Sequence, residues 1–394
     1  MSGEGVRRVA ILGATGSVGE STLRVMERHG ERFRVHALTA HRSVDRLREM
    51  QGAFQVEHVV VTDPETFRSL DAPPAGWAGG REALLSLVRD PEVDVVVNAL
   101  VGFAGLEPTL EALKAGKRVA LANKESLVAG GGLIREALES GGGELVPVDS
   151  EHSAILQCMN GTERKAVSRL LLTASGGPFR GRSADSLRGV TPADALDHPT
   201  WSMGAKISID SATLANKALE VIEAHVLYDI PYERIEVVVH PQSVIHSMVE
   251  FVDGSVMAQM GFPTMELPIL YALTFPERLD DPPLRTFDAV RSSPLTFEAV
   301  DHDAFPLFGV GVEAGRRGAL APAVFNAANE VAVAAFLEER LTFPRMADAV
   351  GEAVEQVGGG GGTFTLDEVM EADGAARRFV DAWITRNGAK SAGA

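Results

Sequence analysis

Residues 6–29, VRRVAILGATGSVGESTLRVMERH, decide the fold. A short apolar run ends at Leu12, glycines follow at positions 13, 16 and 19, and an amphipathic stretch comes next. An apolar run of that length beside a breaker reads as a buried strand, and SVGESTLRVMERH reads as a helix. Gly13-Ala14-Thr15-Gly16-Ser17-Val18-Gly19 is then a turn that opens a helix. Backbone N–H groups and the positive end of a helix meet a pyrophosphate at such a turn. The alternative is a tight turn with no ligand.

Outward from there the alternation continues. RVHALTA (34–40), EHVVVT (57–62), VDVVVNAL (93–100), KRVALA (117–122) and GELVPV (143–148) read as five more strands, with helical stretches such as EPTLEALKAG between them. This implies an α/β fold, a Rossmann-like doubly wound parallel sheet. At the end of the second strand, where an NAD-binding unit carries an acid for the ribose hydroxyls, stand His41, Arg42 and Ser43, with no acid before Asp45. A cation and two small polar donors suit a 2′-phosphate and favour NADPH; Arg42 as a plain surface residue is the other reading.

The bulk numbers exclude several classes. At 394 residues the chain exceeds one ordinary core and implies two or three domains. A formal charge of −17 without a basic stripe argues against nucleic acid as a partner. It leaves anionic small ligands open, because screening over about 8 Å lets a pocket's own lysines dominate. No apolar run spans a bilayer, so no membrane is expected, and the N-terminus reads as leading into a strand rather than as a signal peptide. The single Cys158 rules out an internal disulfide framework and fits the reducing cytoplasm. It lies at helical spacing in AILQC and reads as packing rather than as a nucleophile, which a semialdehyde dehydrogenase would need.

Beyond the sixth strand, VPVDSEHSAILQ places Asp149, Ser150 and Glu151 at a strand end before a helix. Two carboxylates there suit Mg²⁺ or Mn²⁺, although Asp149 or Ser150 as a helix cap is an equally open reading. Ser175-Gly176-Gly177-Pro178 is a small-residue loop able to approach a ligand closely. HPTWSMG (198–204) reads as a lid, with Trp201 and Met203 as its anchors or as core residues. Residues 207–228 read as one helix capped by Asp210 and Ser211, with Asn216, Lys217, Glu220 and Glu223 on its polar side. That surface could hold a phosphate near its start and a cation further along, or be a solvated face. Strands over 233–240, 243–252 and 255–262, with an Asp253-Gly254 hairpin, would build a second sheet. His240 and His246 lie at spacing that does not suit a metal. The whole is expected as an NADPH-binding domain (1–149), an α+β catalytic and dimerisation domain (150–279), a proline-rich linker (280–301) and a C-terminal helical domain (302–394). Thr365 and Glu368 are expected to cap a late helix, and the tail 387–394 to be disordered.

With these residues assembled, the chain resembles the 1-deoxy-D-xylulose 5-phosphate reductoisomerases, NADPH enzymes that make 2-C-methyl-D-erythritol 4-phosphate in the non-mevalonate isoprenoid route. The segments that carry the resemblance are GATGSVG (13–19), LANKESLV (121–128), PVDSEHSAI (147–155), LLTASGGPFR (171–180), HPTWSMG (198–204), the 207–228 stretch, HPQSVIHSMVE (240–250) and FNAANEVAVAAFL (325–337). The resemblance implies a metal site of Asp149, Glu151 and Glu220 for Mg²⁺, Mn²⁺ or Co²⁺. It implies catalytic roles for Lys124, Glu151 and His198. Substrate would be bound by Lys124, Ser150, Glu151, Ser175, His198, Trp201, Ser211, Asn216, Lys217 and Glu220. NADPH would be bound by Thr15, Gly16, Ser17, Val18, His41, Arg42, Ser43, Asn123, Glu125, Met203 and Gly204. It also implies a homodimer. Departures from the family pattern are Ala205, Leu214, Ala215 and Ala218, the last replacing a glycine. Thr264 and Glu266 replace Asp and Arg, and His41 and Ser43 replace Gly and Asn.

Overall fold

A computed structural model describes residues 5–201, 203–359 and 361–387. The expected disordered tail therefore falls, from residue 388 on, outside the described residues. The chain divides into two compact units.

The first unit comprises residues up to 126, 133–153 and 264–285. Its strands are β1 (Arg7–Leu12), β2 (Phe33–Ala40), β3 (His58–Val61), β4 (Trp77–Gly79), β5 (Val95–Asn98), β6 (Arg118–Leu121) and β7 (Glu144–Pro147). They form one sheet in the order β4-β3-β2-β1-β5-β6-β7, with every pairing parallel. The order reverses at β1, which lies between β2 and β5, and such a switch point opens a crevice at the carboxyl ends of the strands. Val9, Val95, Val96 and Val97 are essentially inaccessible, as strands covered on both faces require. The sequence implied six strands and missed β4, three residues set among Pro73, Pro74, Gly76 and Gly80. Its Trp77 is tied down by an indole N–H bond to Gln51 Oε1 of 2.8 Å.

The chain returns to this unit late, as the helix Glu266–Thr274. Leu273 O accepts from Arg7 and Arg118 guanidinium groups at 2.8 and 3.2 Å. Glu266 pairs with Arg24 and Arg28, each at 2.8 Å, and Asp281 pairs with Arg28 at 2.8 Å. Glu266, where the family pattern has arginine, thus sits between two arginines.

The second unit comprises 127–132, 154–263 and 286–387 of the described residues. Strands β8 (Val167–Ala174), β9 (Ile235–Val239), β10 (Ile245–Phe251), β11 (Val256–Met260) and β12 (Glu298–Ala299) form a mixed sheet ordered β11-β10-β8-β9-β12. Only β8 and β9 are parallel. The Asp253-Gly254 hairpin joins β10 to β11, with Gly254 at φ +84°. Within the expected linker, β12 pairs with β9 here, while a short 3₁₀ turn at Pro282–Leu284 belongs to the first unit. Helices Pro306–Arg317, Ala321–Leu337, Phe343–Val357 and Leu366–Asn387 share one core with the helix Ala215–Tyr228 around Phe325, Phe336 and Phe179. A Cβ added at Gly311 would lie 2.6 Å from Ala218 Cβ and 2.5 Å from the Phe325 ring. The extra methyl of Ala218 is accommodated there because residue 311 has no side chain. Thr365 and Glu368 form the expected capping pair, with Thr365 N–H donating to Glu368 Oε2 at 2.7 Å and Glu368 N–H to Thr365 Oγ1 at 3.3 Å.

One expectation is corrected. Residues 207–228 are not a single helix but two, Ala205–Ala212 and Ala215–Tyr228, broken at Leu214, whose φ is +57°. Asp210 and Ser211 therefore close the first helix instead of capping the second. The left-handed Leu214 re-aims the chain so that Asn216, Lys217 and Glu220 start a fresh helix.

Candidate active site

The first unit gathers its candidate site residues at strand ends. At the β1 turn, Gly13 has φ +79°, and a Cβ on it would lie 2.6 Å from Ala99 O. A Cβ on Gly19 would lie 2.5 Å from the carbonyl oxygens of Gly13 and Ala14. These two glycines serve the fold. Gly16 does not, because a Cβ there would touch only Gly13 O, at 3.5 Å. It stands at the N-cap of Ser17–Arg28 with no side-chain cap, so the first-turn N–H groups face outward between Thr15, Ser17 and Val18. A phosphate fits this cradle.

At the end of β2, His41, Arg42 and Ser43 are all exposed. Arg42 Nε donates to Asp63 Oδ2 at 3.1 Å, and His41 Nδ1 lies 3.1 Å from Thr62 Oγ1. Ser43 precedes the helix Val44–Phe54 without capping it through its side chain.

At the end of β6, Asn123 caps the helix Lys124–Gly141: its Oδ1 accepts from Ser126 N–H at 3.0 Å. Its amide donates to Leu100 O, Gly102 O and Glu125 Oε2 at 2.8, 2.9 and 3.1 Å. The side chain is spent on the fold and the backbone N–H donates to Asn98 O at 3.1 Å, which leaves the carbonyl oxygen as what Asn123 can offer a cofactor. Lys124, buried, pairs with Asp149 Oδ2 at the end of β7. Ser150 Oγ donates to Glu151 Oε2 at 2.5 Å. Carboxylate oxygens of Asp149 and Glu151 lie within 4.8 Å of each other. Two hard oxygen donors that close fit a small divalent cation. Cys158, which would be the soft donor, is buried in the core of the second unit.

In the second unit, Ser175 follows β8 and its Oγ lies 3.1 Å from His198 Nε2. His198 Nδ1 accepts N–H bonds from Thr200 and Trp201 at 3.2 and 3.0 Å. With Nδ1 an acceptor, the proton resides on Nε2, and Nε2–H donates to Ser175. Burial lowers the pKa of His198 and keeps it neutral. Gly176 and Gly177 have φ of +85° and +67°, and a Cβ on Gly177 would lie 2.6 Å from Ser211 O. Only glycine lets this loop rest on the helix that carries Ser211. Lys217, almost fully buried, donates to Thr173 O at 2.5 Å and pairs with Glu220, which also accepts from Asn216. Trp201 and Met203 are half-buried and Gly204 is exposed, with Ser202 outside the described residues.

The sequence reading missed three contributors. Asn329 Nδ2 donates to Asp210 Oδ1 at 2.7 Å and Lys206 Nζ lies 2.9 Å from Asp210 Oδ2, so both steady the helix that carries Ser211. Thr173 supplies a backbone oxygen to Lys217. The Lys206–Asp210 pair at i,i+4 was the one legible signal. His240, proposed as no ligand, bonds Thr296 O through Nδ1 at 2.9 Å and accepts from Val244 N–H at 3.2 Å.

Comparison with known proteins matches this arrangement to one family. Residues 9–131 match the 1-deoxy-D-xylulose 5-phosphate reductoisomerase domain, and residues 145–228 and 260–379 match two C-terminal domains of the same family. The chain is 48% identical over 388 residues to the 1-deoxy-D-xylulose 5-phosphate reductoisomerase of Cupriavidus metallidurans, covering 96% of this chain and 98% of that one. It is similar to the solved Zymomonas mobilis reductoisomerase in complex with NADPH (43% identity, TM-score 0.87, 96% and 99% covered). It is similar too to a reductoisomerase in complex with NADPH, fosmidomycin and magnesium (38% identity, TM-score 0.89, 96% and 98% covered). With likeness of that degree along nearly its whole length, this chain belongs to the 1-deoxy-D-xylulose 5-phosphate reductoisomerase family.

Proposed function

We propose that this chain converts 1-deoxy-D-xylulose 5-phosphate to 2-C-methyl-D-erythritol 4-phosphate, with NADPH and a divalent cation, for isoprenoid precursor supply. The observation that carries the reading is the acidic pair Asp149 and Glu151 beside Lys124 at the carboxyl end of β7. It stands in a chain nearly half identical to reductoisomerases.

Asp149, Glu151 and Glu220 would hold the cation, which supplies Lewis acidity toward the substrate's carbonyl and hydroxyl oxygens. NADPH supplies the hydride. Lys124, paired with Asp149 when no cation engages that carboxylate, is placed to donate to the substrate oxygen that gains charge. Ser150 and Glu151 would flank the same atoms. Ser175, Ser211, Asn216 and Lys217 would take the phosphate through charge-assisted bonds of roughly 1.5–3 kcal/mol each. Such remote binding supports closure of the 198–204 loop and exclusion of water. Neutral His198 joins that loop to Ser175, and Trp201 and Met203 would cover substrate and nicotinamide.

A homodimer and a cytoplasmic location belong to the same reading. The edge strand β11 exposes Val256 and Met257 at 52% and 49%, beside Val252 and Phe262, an apolar edge suited to a second copy. Among the described residues no helix is long and apolar enough to cross a membrane. Oxidation of NADPH dependent on both substrate and Mg²⁺ tests the reading. Cofactor binding without turnover would favour an NADPH-sensing protein instead.

A further inference from the structure

We infer that Thr62 and Asp63, the residues that follow β3, are positioning residues for the adenosine 2′-phosphate of the cofactor, Asp63 acting through Arg42 and Thr62 through His41. The inference rests on the reading of NADPH as cofactor and adds two residues from beyond the end of a neighbouring strand. Beyond the β2–β3 pairing the two chains stay laced: Thr62 N–H donates to Ala40 O at 2.9 Å and Asp63 N–H to His41 O at 3.1 Å. The position of Asp63 is therefore fixed from its backbone. Its side chain is fixed as well, because Oδ2 caps the helix Pro64–Arg68 by accepting from Thr66 N–H at 3.2 Å and from the Thr66 hydroxyl at 2.5 Å.

The same oxygen accepts Arg42 Nε–H at 3.1 Å. An arginine held through Nε keeps the end-on edge of its guanidinium, between the two terminal nitrogens, outside that bond. Those nitrogens form the fork that grips a phosphate through two parallel bonds. The Arg42 side chain is 69% exposed while that of Asp63 is 12% exposed, which is the arrangement of a buried post and an outward fork. Thr62 does the equivalent for His41, fixing Nδ1 at 3.1 Å and leaving Nε2 on the far side of the ring. Both donors are ordered before the ligand arrives, so less side-chain freedom is lost on binding.

The test measures dissociation constants of NADPH and NADH on the full chain by cofactor fluorescence. The proteins are the unaltered chain, Asp63→Ser, Thr62→Val, Arg42→Ala and Asp63→Ser with Arg42→Ala. Serine keeps a helix cap while removing the carboxylate, and valine preserves the shape of threonine. Melting curves confirm that each variant is folded. Asp63→Ser should weaken NADPH about three- to tenfold with NADH unchanged, and Thr62→Val should do the same more weakly. The Asp63→Ser effect should vanish when Arg42 is already alanine, which a merely structural role would not produce. Unchanged or tighter NADPH binding in Asp63→Ser, or equal weakening of both cofactors, overturns the inference. An unaltered protein that does not distinguish NADPH from NADH ends the cofactor reading and this inference together.

Discussion

The ammonium of Lys124 pairs with Oδ2 of Asp149, and both side chains are buried. A buried carboxylate needs a counter-charge, and an internal one competes with any cation that seeks the same oxygens. Lys124 thus answers for Asp149 in the protein alone, and the proposed mechanism turns it to the substrate during turnover. Replacing it by methionine should lower kcat by roughly 10²–10⁴, while Mn²⁺ affinity, followed by electron paramagnetic resonance, stays equal or rises. Loss of Mn²⁺ binding in Lys124→Met would show that the lysine builds the cation site instead of competing for it.

His198 accepts the Thr200 and Trp201 N–H bonds that shape the 198–204 loop only while neutral, because a protonated Nδ1 no longer accepts. Its pKa is lowered by burial from the ordinary 6.5. Below that ordinary value the unfolded loop takes up protons more readily than the folded one. The stabilisation is therefore complete above about 6.5 and is lost as pH falls through the lowered folded value. Hydrogen exchange of residues 198–204 should accelerate across that acid window, with kcat/KM falling in parallel. In His198→Gln the exchange should no longer depend on pH there. An unaltered protein whose loop exchange is flat over the window contradicts the role given to this imidazole.

Gly311 and Ala218 pack their helices with no room for a second methyl. Gly311→Ala should cost about 1–3 kcal/mol in a denaturant titration. The cost should shrink, without vanishing, in an Ala218→Gly background, because Phe325 also faces the new carbon. Equal costs in the two backgrounds would mean that the helices shift apart freely.

Much of this architecture was legible because buried parallel strands are continuous apolar runs, as in VDVVVNAL, and because ligand residues cluster at strand ends. β4 was not legible: three residues among prolines and glycines carry no period. The break at Leu214 was hidden because a leucine gives no compositional sign that it will adopt positive φ. The return of 264–285 to the first unit depends on pairs such as Arg24 with Glu266 and Arg28 with Asp281, more than two hundred positions apart. Local sequence patterns do not report such pairs. Asp63 was missed for a related reason, since its partner Arg42 follows a different strand.

Glu266 offers a check on that long-range clamp. Burial works against its ionisation, and bonds to Arg24 and Arg28 outweigh burial and hold its carboxyl below the usual range. Installing the family's arginine as Glu266→Arg would set three like charges together. We expect a loss on the order of 1–3 kcal/mol, read as a lower melting temperature, with KM for NADPH little changed. A melting temperature equal to that of the unaltered protein would mean that the clamp contributes nothing.

On the proposed reading, turnover of 1-deoxy-D-xylulose 5-phosphate depends on a cation that Asp149, Glu151 and Glu220 would hold together. The most direct measurement follows NADPH loss with this substrate at limiting Mg²⁺, in the unaltered protein and in Glu220→Gln, with a chelated control. Chelation should abolish turnover, and Glu220→Gln should reduce it by at least about 10². Turnover that survives chelation, or a Glu220→Gln variant as fast as the unaltered protein, would contradict it.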